Sequence, residues 1–114
     1  MAVKVICSDP TGLLAKIKSA IKEKKVETWI VDQDGDFSHS PDQWKWQAWL
    51  RPSVGQGLIT FSILGRKDAK MSKVVYAVYH GRFAEMLLSH FDDQFTNVEA
   101  TALPVVGDHV GSTS

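Results

Sequence analysis

Three β-forming runs follow one another with only turn-rich chain between them: ETWIVD (27–32), QWKWQAWLRP (43–52) and LITFSIL (58–64). Strands joined this closely pair as an antiparallel meander. Positions 33–42 carry the first turn, with Asp34-Gly35 its strongest signal. Pro52, Gly55 and Gly57 mark the second connection. In the middle run Trp44, Trp46, Ala48 and Leu50 alternate onto one face, and Gln43, Lys45, Gln47, Trp49 and Arg51 onto the other. Trp29, Trp44 and Trp46 therefore fit a core, whereas Trp49 falls on a polar face among cations.

The meander is flanked by helical patterns. Residues 2–7 read as a strand, and Asp9-Pro10 then opens a helix, because Asp caps the free amides and Pro at the first position lacks only an unused donor. Leu13, Leu14, Ile17, Ala20 and Ile21 form its apolar stripe, and the helix is expected to end near Lys24. Its lysines read as a solvated face, with an anion-binding face as the alternative. Positions 72–93 are two-sided. Val74 to Tyr79 favour a strand on propensity, but Tyr76, Tyr79, Phe83, Met86, Leu87, His90 and Phe91 recur at helical spacing behind Ser72, a fair N-cap. One long helix is the preferred reading. A last strand at 97–103 completes the order β-α-β-β-β-α-β. The expectation is an α+β fold: one antiparallel or mixed sheet with two helices on one face, a variant of the ferredoxin-like order. Residues 1–104 form one domain, and 105–114, which lack a period, form a loose tail.

Charge and cysteine usage exclude several functions. Lys+Arg and Asp+Glu are equal at 13 each, which argues against broad nucleic-acid binding. A local patch of Lys45, Trp49 and Arg51 keeps that option as a weak alternative. The single cysteine, Cys7, sits in an apolar run and reads as an inert core thiol of a reducing compartment. There is no signal-peptide pattern and no apolar run of about 20 residues, so a soluble, cytoplasmic protein is expected.

The chemistry-bearing residues fall into three groups. Asp32, Asp34 and Asp36 copy the first ligands of a calcium loop, but Phe37 and Gln43 stand where an EF-hand needs Gly and Glu. The segment reads as an Asp-rich turn, with a looser Mg²⁺ or Ca²⁺ site, extended to His39, as the alternative. In YHGRF, His80 with Arg82 and Glu85 offers an acid/base or anion-binding set beside Tyr76 and Tyr79, or else simply core-edge residues with hydrogen-bonded tips. His80 and His90 would stand about 15 Å apart on one helix and cannot share a metal. Trp49 with Arg51 offers a stacking or subunit-anchoring surface. No nucleophile elbow, P-loop, dinucleotide fingerprint or zinc-protease motif occurs, and no cofactor is expected.

The segments DQDGDFSHSPDQWKWQAWLRP and YAVYHGRFAEMLLSHFD resemble small stand-alone bacterial proteins of the kind carried on mobile elements such as integron gene cassettes. The resemblance spans 28–93 and implies a cytoplasmic bacterial protein of accessory value, with no catalytic residue to carry over. The reading of the chain as a whole is a non-enzymatic, dimeric module for a small ligand or protein, using Trp49, Arg51, Tyr76, Tyr79, His80 and Arg82. The alternative is a metal- or His-dependent enzyme using His80 and the aspartate turn.

Overall fold

The computed structural model describes residues 1–104 together with Gly107 and Asp108. The elements run β1 (Ala2–Ile6), α1 (Pro10–Lys22), β2 (Trp29–Val31), β3 (Phe37–His39), β4 (Ala48–Gly55), β5 (Leu58–Gly65), α2 (Lys73–Phe91) and β6 (Asn97–Ala100). The six strands make one sheet in the order β2-β3-β4-β5-β1-β6, and every adjacent pair is antiparallel. The fold is α+β, with both helices on one face of the sheet, and it has two strands more than the ferredoxin-like βαββαβ order.

Local chemistry explains the helix ends. Asp9 accepts from the Gly12 amide at 3.1 Å, and Pro10 occupies the first turn. A Cβ on Gly12 would meet the Asp9 carboxylate at 2.1 Å, so the residue that weakens the turn also makes room for its cap. At the other end Lys25 and Lys24 amides bond back to Ala20 and Ile21 carbonyls, a Schellman closure with Lys24 at φ 62° where glycine is usual. Helix α2 starts at Ser72, whose hydroxyl accepts from the Val75 amide. Val74 to Tyr79 are therefore helical, as the spacing predicts. Tyr79, Phe83, Met86, Leu87 and Phe91 supply its buried stripe.

Leu13, Ile17 and Ile21 of α1 meet this stripe over Val3, Val5, Leu50, Ile59, Phe61 and Ile63 of the sheet. At the centre, Phe83 touches the rings of Trp29, Phe37 and Phe61 at 5.0, 5.6 and 4.6 Å between centroids. Cys7 is buried, and burial, then the nearby Asp9 charge, pushes its thiol pKa up, away from a reactive thiolate.

Several sequence expectations need correction. The turn-rich tract contains a further strand: Phe37–His39 pairs with Trp29–Val31 as a hairpin. The next strand begins at Ala48, not Gln43, and runs through Pro52 to Gly55, so only Gln56 and Gly57 form the connection expected from Pro52 onward. Ahead of it, Trp44 and Lys45 amides both bond to the Pro41 carbonyl, forming a helical turn, and Trp46 takes φ 62°. The Tyr79 hydroxyl donates to the Trp44 carbonyl, and Ser38 Oγ accepts from the Trp46 amide at 3.3 Å. These bonds hold the segment out of the sheet, so the alternation in QWKWQ does not put Trp46 in the core. Trp46 is 44% exposed and stacks on Trp49 at 6.3 Å, with the Lys45 ammonium 5.5 Å from its ring. Within the tail expected to be loose, Asp108 accepts from the Ile63 amide and pairs with the Met1 ammonium; apart from Gly107, the rest of 105–114 lies outside the described residues.

Candidate functional site

The aspartate segment builds the β2–β3 hairpin. Asp32 Oδ1 accepts from the amides of Asp34 and Asp36, the Asp32 amide donates to the Asp36 carbonyl, and Gly35 sits at φ 84°. An Asx-type turn with glycine in the left-handed position follows directly from Asp-x-Asp-Gly-Asp. Carboxylate oxygens of Asp32, Asp34 and Asp36 lie within 4.8 Å of one another. Two of the three already have work. Asp32 Oδ1 is occupied by amides, and both oxygens of Asp36 accept from Arg51, at 3.0 and 2.8 Å. Arg51, expected at a binding face, is thus held by the hairpin.

The YHGRF residues separate. Tyr79 is fully buried, with its hydroxyl on Trp44. His80 is 6% exposed; its Nδ1–H donates to the Tyr76 carbonyl at 2.8 Å, and Tyr76 meets its ring edge-on at 5.7 Å. Its buried Nε2 has no hydrogen-bond partner among the described residues, and besides Tyr76 the groups acting on the ring are Met1 and Asp108, not the aspartate turn. Arg82 and Glu85, two and five residues further along the helix, face a different region, paired loosely at 3.5 Å with both side chains more than half exposed.

That region is a cavity of about 540 Å³. It opens between α2 and two connections. Helix α2 presents Arg82, Glu85, Met86 and His90; the α1–β2 connection brings Lys25 and Glu27; and the loop after β3 brings Trp44. His39, at the end of β3, lines it while only 4% exposed. The hairpin register sets His39 opposite Trp29, with the rings 4.7 Å apart, and the imidazole Nδ1–H donates to the Thr28 carbonyl at 2.8 Å. This bond fixes the tautomer and leaves the Nε2 lone pair as an acceptor. Nε2 has no hydrogen-bond partner among the described residues, and His39 is one of the side chains lining the cavity. Burial, the larger effect, and the Arg82 charge hold the His39 pKa below the ordinary histidine value against the opposing pulls of Thr28 and Glu85.

Both His39 and His80 titrate below the free value of 6.5, chiefly through burial. The unfolded chain therefore binds more protons than the native one just below that pH, and stability rises with pH across this window. Thermal unfolding followed from pH 8 to pH 5 should show the midpoint steady above about pH 6.5 and falling below it. The fall should be shallower in His39→Gln and in His80→Gln; an unchanged slope in both would assign the pH dependence to other groups.

Of the residues singled out from sequence, Arg82 and Glu85 reach the cavity, and His39 reaches it without the aspartates. Lys25, Glu27, Trp44 and His90 carry no sequence signal for this cavity, because they meet only once the hairpin and α2 pack. No known protein family, curated protein or solved structure matches this chain. Among the described residues, no helix is long and apolar enough to cross a membrane.

Proposed function

We propose that this chain is a small-ligand-binding module, without catalytic machinery of its own, whose site is the cavity floored by His39 and flanked by Arg82, Glu85 and Trp44. The observation that carries it is the combination of a concave space of about 540 Å³ with an oriented, neutral imidazole at its base. Ligand sites usually occupy about 300–1,000 Å³, and this one departs from the usual apolar form in being lined chiefly by charged and polar side chains. The stack of exposed Trp46 on half-buried Trp49 supports self-association as a homodimer, since surface tryptophans anchor interfaces well. A cytoplasmic bacterial setting on a mobile element is the context that the sequence resemblance supports.

One experiment tests both parts. A metabolite panel screened by thermal shift on wild type should give at least one stabilising compound, because a ligand bound only by the native state raises its midpoint. Arg82→Ala should abolish or sharply reduce that shift, while Trp49→Ala keeps it and lowers the sedimentation mass. A panel with no response would remove the module reading. A monomeric wild type would remove the dimer alone.

A second reading, a His-dependent enzyme, is favoured by one observation: the His39 Nε2 lone pair is oriented as a general base would be. Recovery of the bound compound chemically unchanged after long incubation would sink it.

A further inference from the structure

The cavity's charges narrow what it takes, provided the small-ligand reading holds. We propose that it binds a small zwitterion, a free amino acid or dipeptide, with the ligand carboxylate toward Arg82 and Lys25 and its ammonium toward Glu27, Glu85 and the His39 Nε2 lone pair.

The lining holds two cations, Lys25 and Arg82, and two anions, Glu27 and Glu85. Only Arg82 and Glu85 are paired, at 3.5 Å and largely in water, which is a weak contact that a ligand can replace. The Lys25 and Glu27 side chains have no partner among the described residues. A purely anionic ligand would sit against two carboxylates, and a purely cationic one against a guanidinium and an ammonium. Like-charge contact of this kind opposes binding, so a molecule with both signs is the one that leaves neither pair unanswered. His39 reinforces the choice. With Nδ1–H committed to Thr28, it offers an acceptor and no donor, and an acceptor selects an N–H or O–H on the ligand. Trp44 and Met86 supply an apolar wall for a side chain. The volume of about 540 Å³ readily admits an amino acid or a dipeptide.

The test is calorimetric titration of the full chain with free L-amino acids and dipeptides, followed by the N-acetyl and C-amide forms of the best binder. Each blocked form should bind about tenfold or more weakly, the scale of one lost charge-assisted hydrogen bond. Glu85→Gln should weaken the parent compound and leave its N-acetyl form unchanged. Both Glu85 and Arg82 are largely exposed, so these variants fold. Equal affinity for the N-acetyl form would make the cavity an anion site and overturn the zwitterion, with the binding reading intact. Binding of other metabolites but of no amino acid or dipeptide would do the same. No binding from either set would overturn both.

Discussion

Phe83→Ala is expected to destabilise the protein by about 3–5 kcal/mol, the range for deleting a fully buried aromatic ring. Phe83 is completely buried and is the ring at which α2 meets three strands: it contacts Trp29 of β2 edge-on, Phe37 of β3 at 70°, and Phe61 of β5. Truncation removes the transfer free energy of the ring, leaves a cavity that rigid aromatic neighbours cannot fill, and breaks three aromatic pairs at once. A domain of this size has about 5–15 kcal/mol in total, so this is a large fraction of it. The midpoint of thermal unfolding should fall by roughly 12–20 °C at about 4 °C per kcal/mol. Leu88→Ala on the same helix is the control. Leu88 is 52% exposed, and its loss should stay within about 0.5 kcal/mol. Urea titration decides the matter: the Phe83 variant should lose midpoint without a change of slope. A cost comparable to that of Leu88 would mean that α2 does not pack through this ring.

The helices were legible because their signals are local. Asp9-Pro10 and Ser72 fix the starts, and the stripes Leu13–Ile17–Ile21 and Tyr79–Phe83–Leu87 are the buried faces observed. Gly81, a residue of low helix propensity, lies where a Cβ would meet nothing within 4 Å, so the helix loses no packing there. Strand β3 was not legible. It is three residues long, and FSH becomes a strand only because the Asp32 carboxylate closes the turn beside it. The 43–47 segment misled in the opposite way. Its period of two is real, but hydrogen bonds to Pro41 and from Tyr79 outweigh propensity in a stretch that has no strand neighbour. A left-handed Trp46 then brings two tryptophans expected on opposite faces into one stack. The site was half legible for the same reason. Arg82 and Glu85 are neighbours on one helix, whereas His39, Trp44 and Lys25 come from segments whose meeting depends on that unread hairpin.

The second large effect comes from two ion pairs that share a geometry and differ in burial. Arg51 grips Asp36 through Nε and Nη2 at 3.0 and 2.8 Å, and Arg66 grips Asp68 in the same way at the same two distances. Hydrogen-bond geometry alone would rank them equal. The Asp36 side chain, however, is 5% exposed, while that of Asp68 is 68% exposed. Arg51→Ala therefore leaves a buried carboxylate without its partner and should cost about 2–3 kcal/mol, less than a fully enclosed pair because Arg51 itself is half in water. Arg66→Ala leaves a carboxylate that water solvates at once, and should produce no measurable change. Removing the stranded charge tests the cause directly: Asp36→Asn combined with Arg51→Ala should recover part of the loss, since an amide is cheaper to bury than an unpaired carboxylate. If the double variant is less stable than Arg51→Ala alone, then the hairpin depends on the Asp36 carboxylate itself and not on its neutralisation. In either case Arg51→Ala should leave ligand binding in the His39 cavity unaltered, because the hairpin already holds that guanidinium away from it.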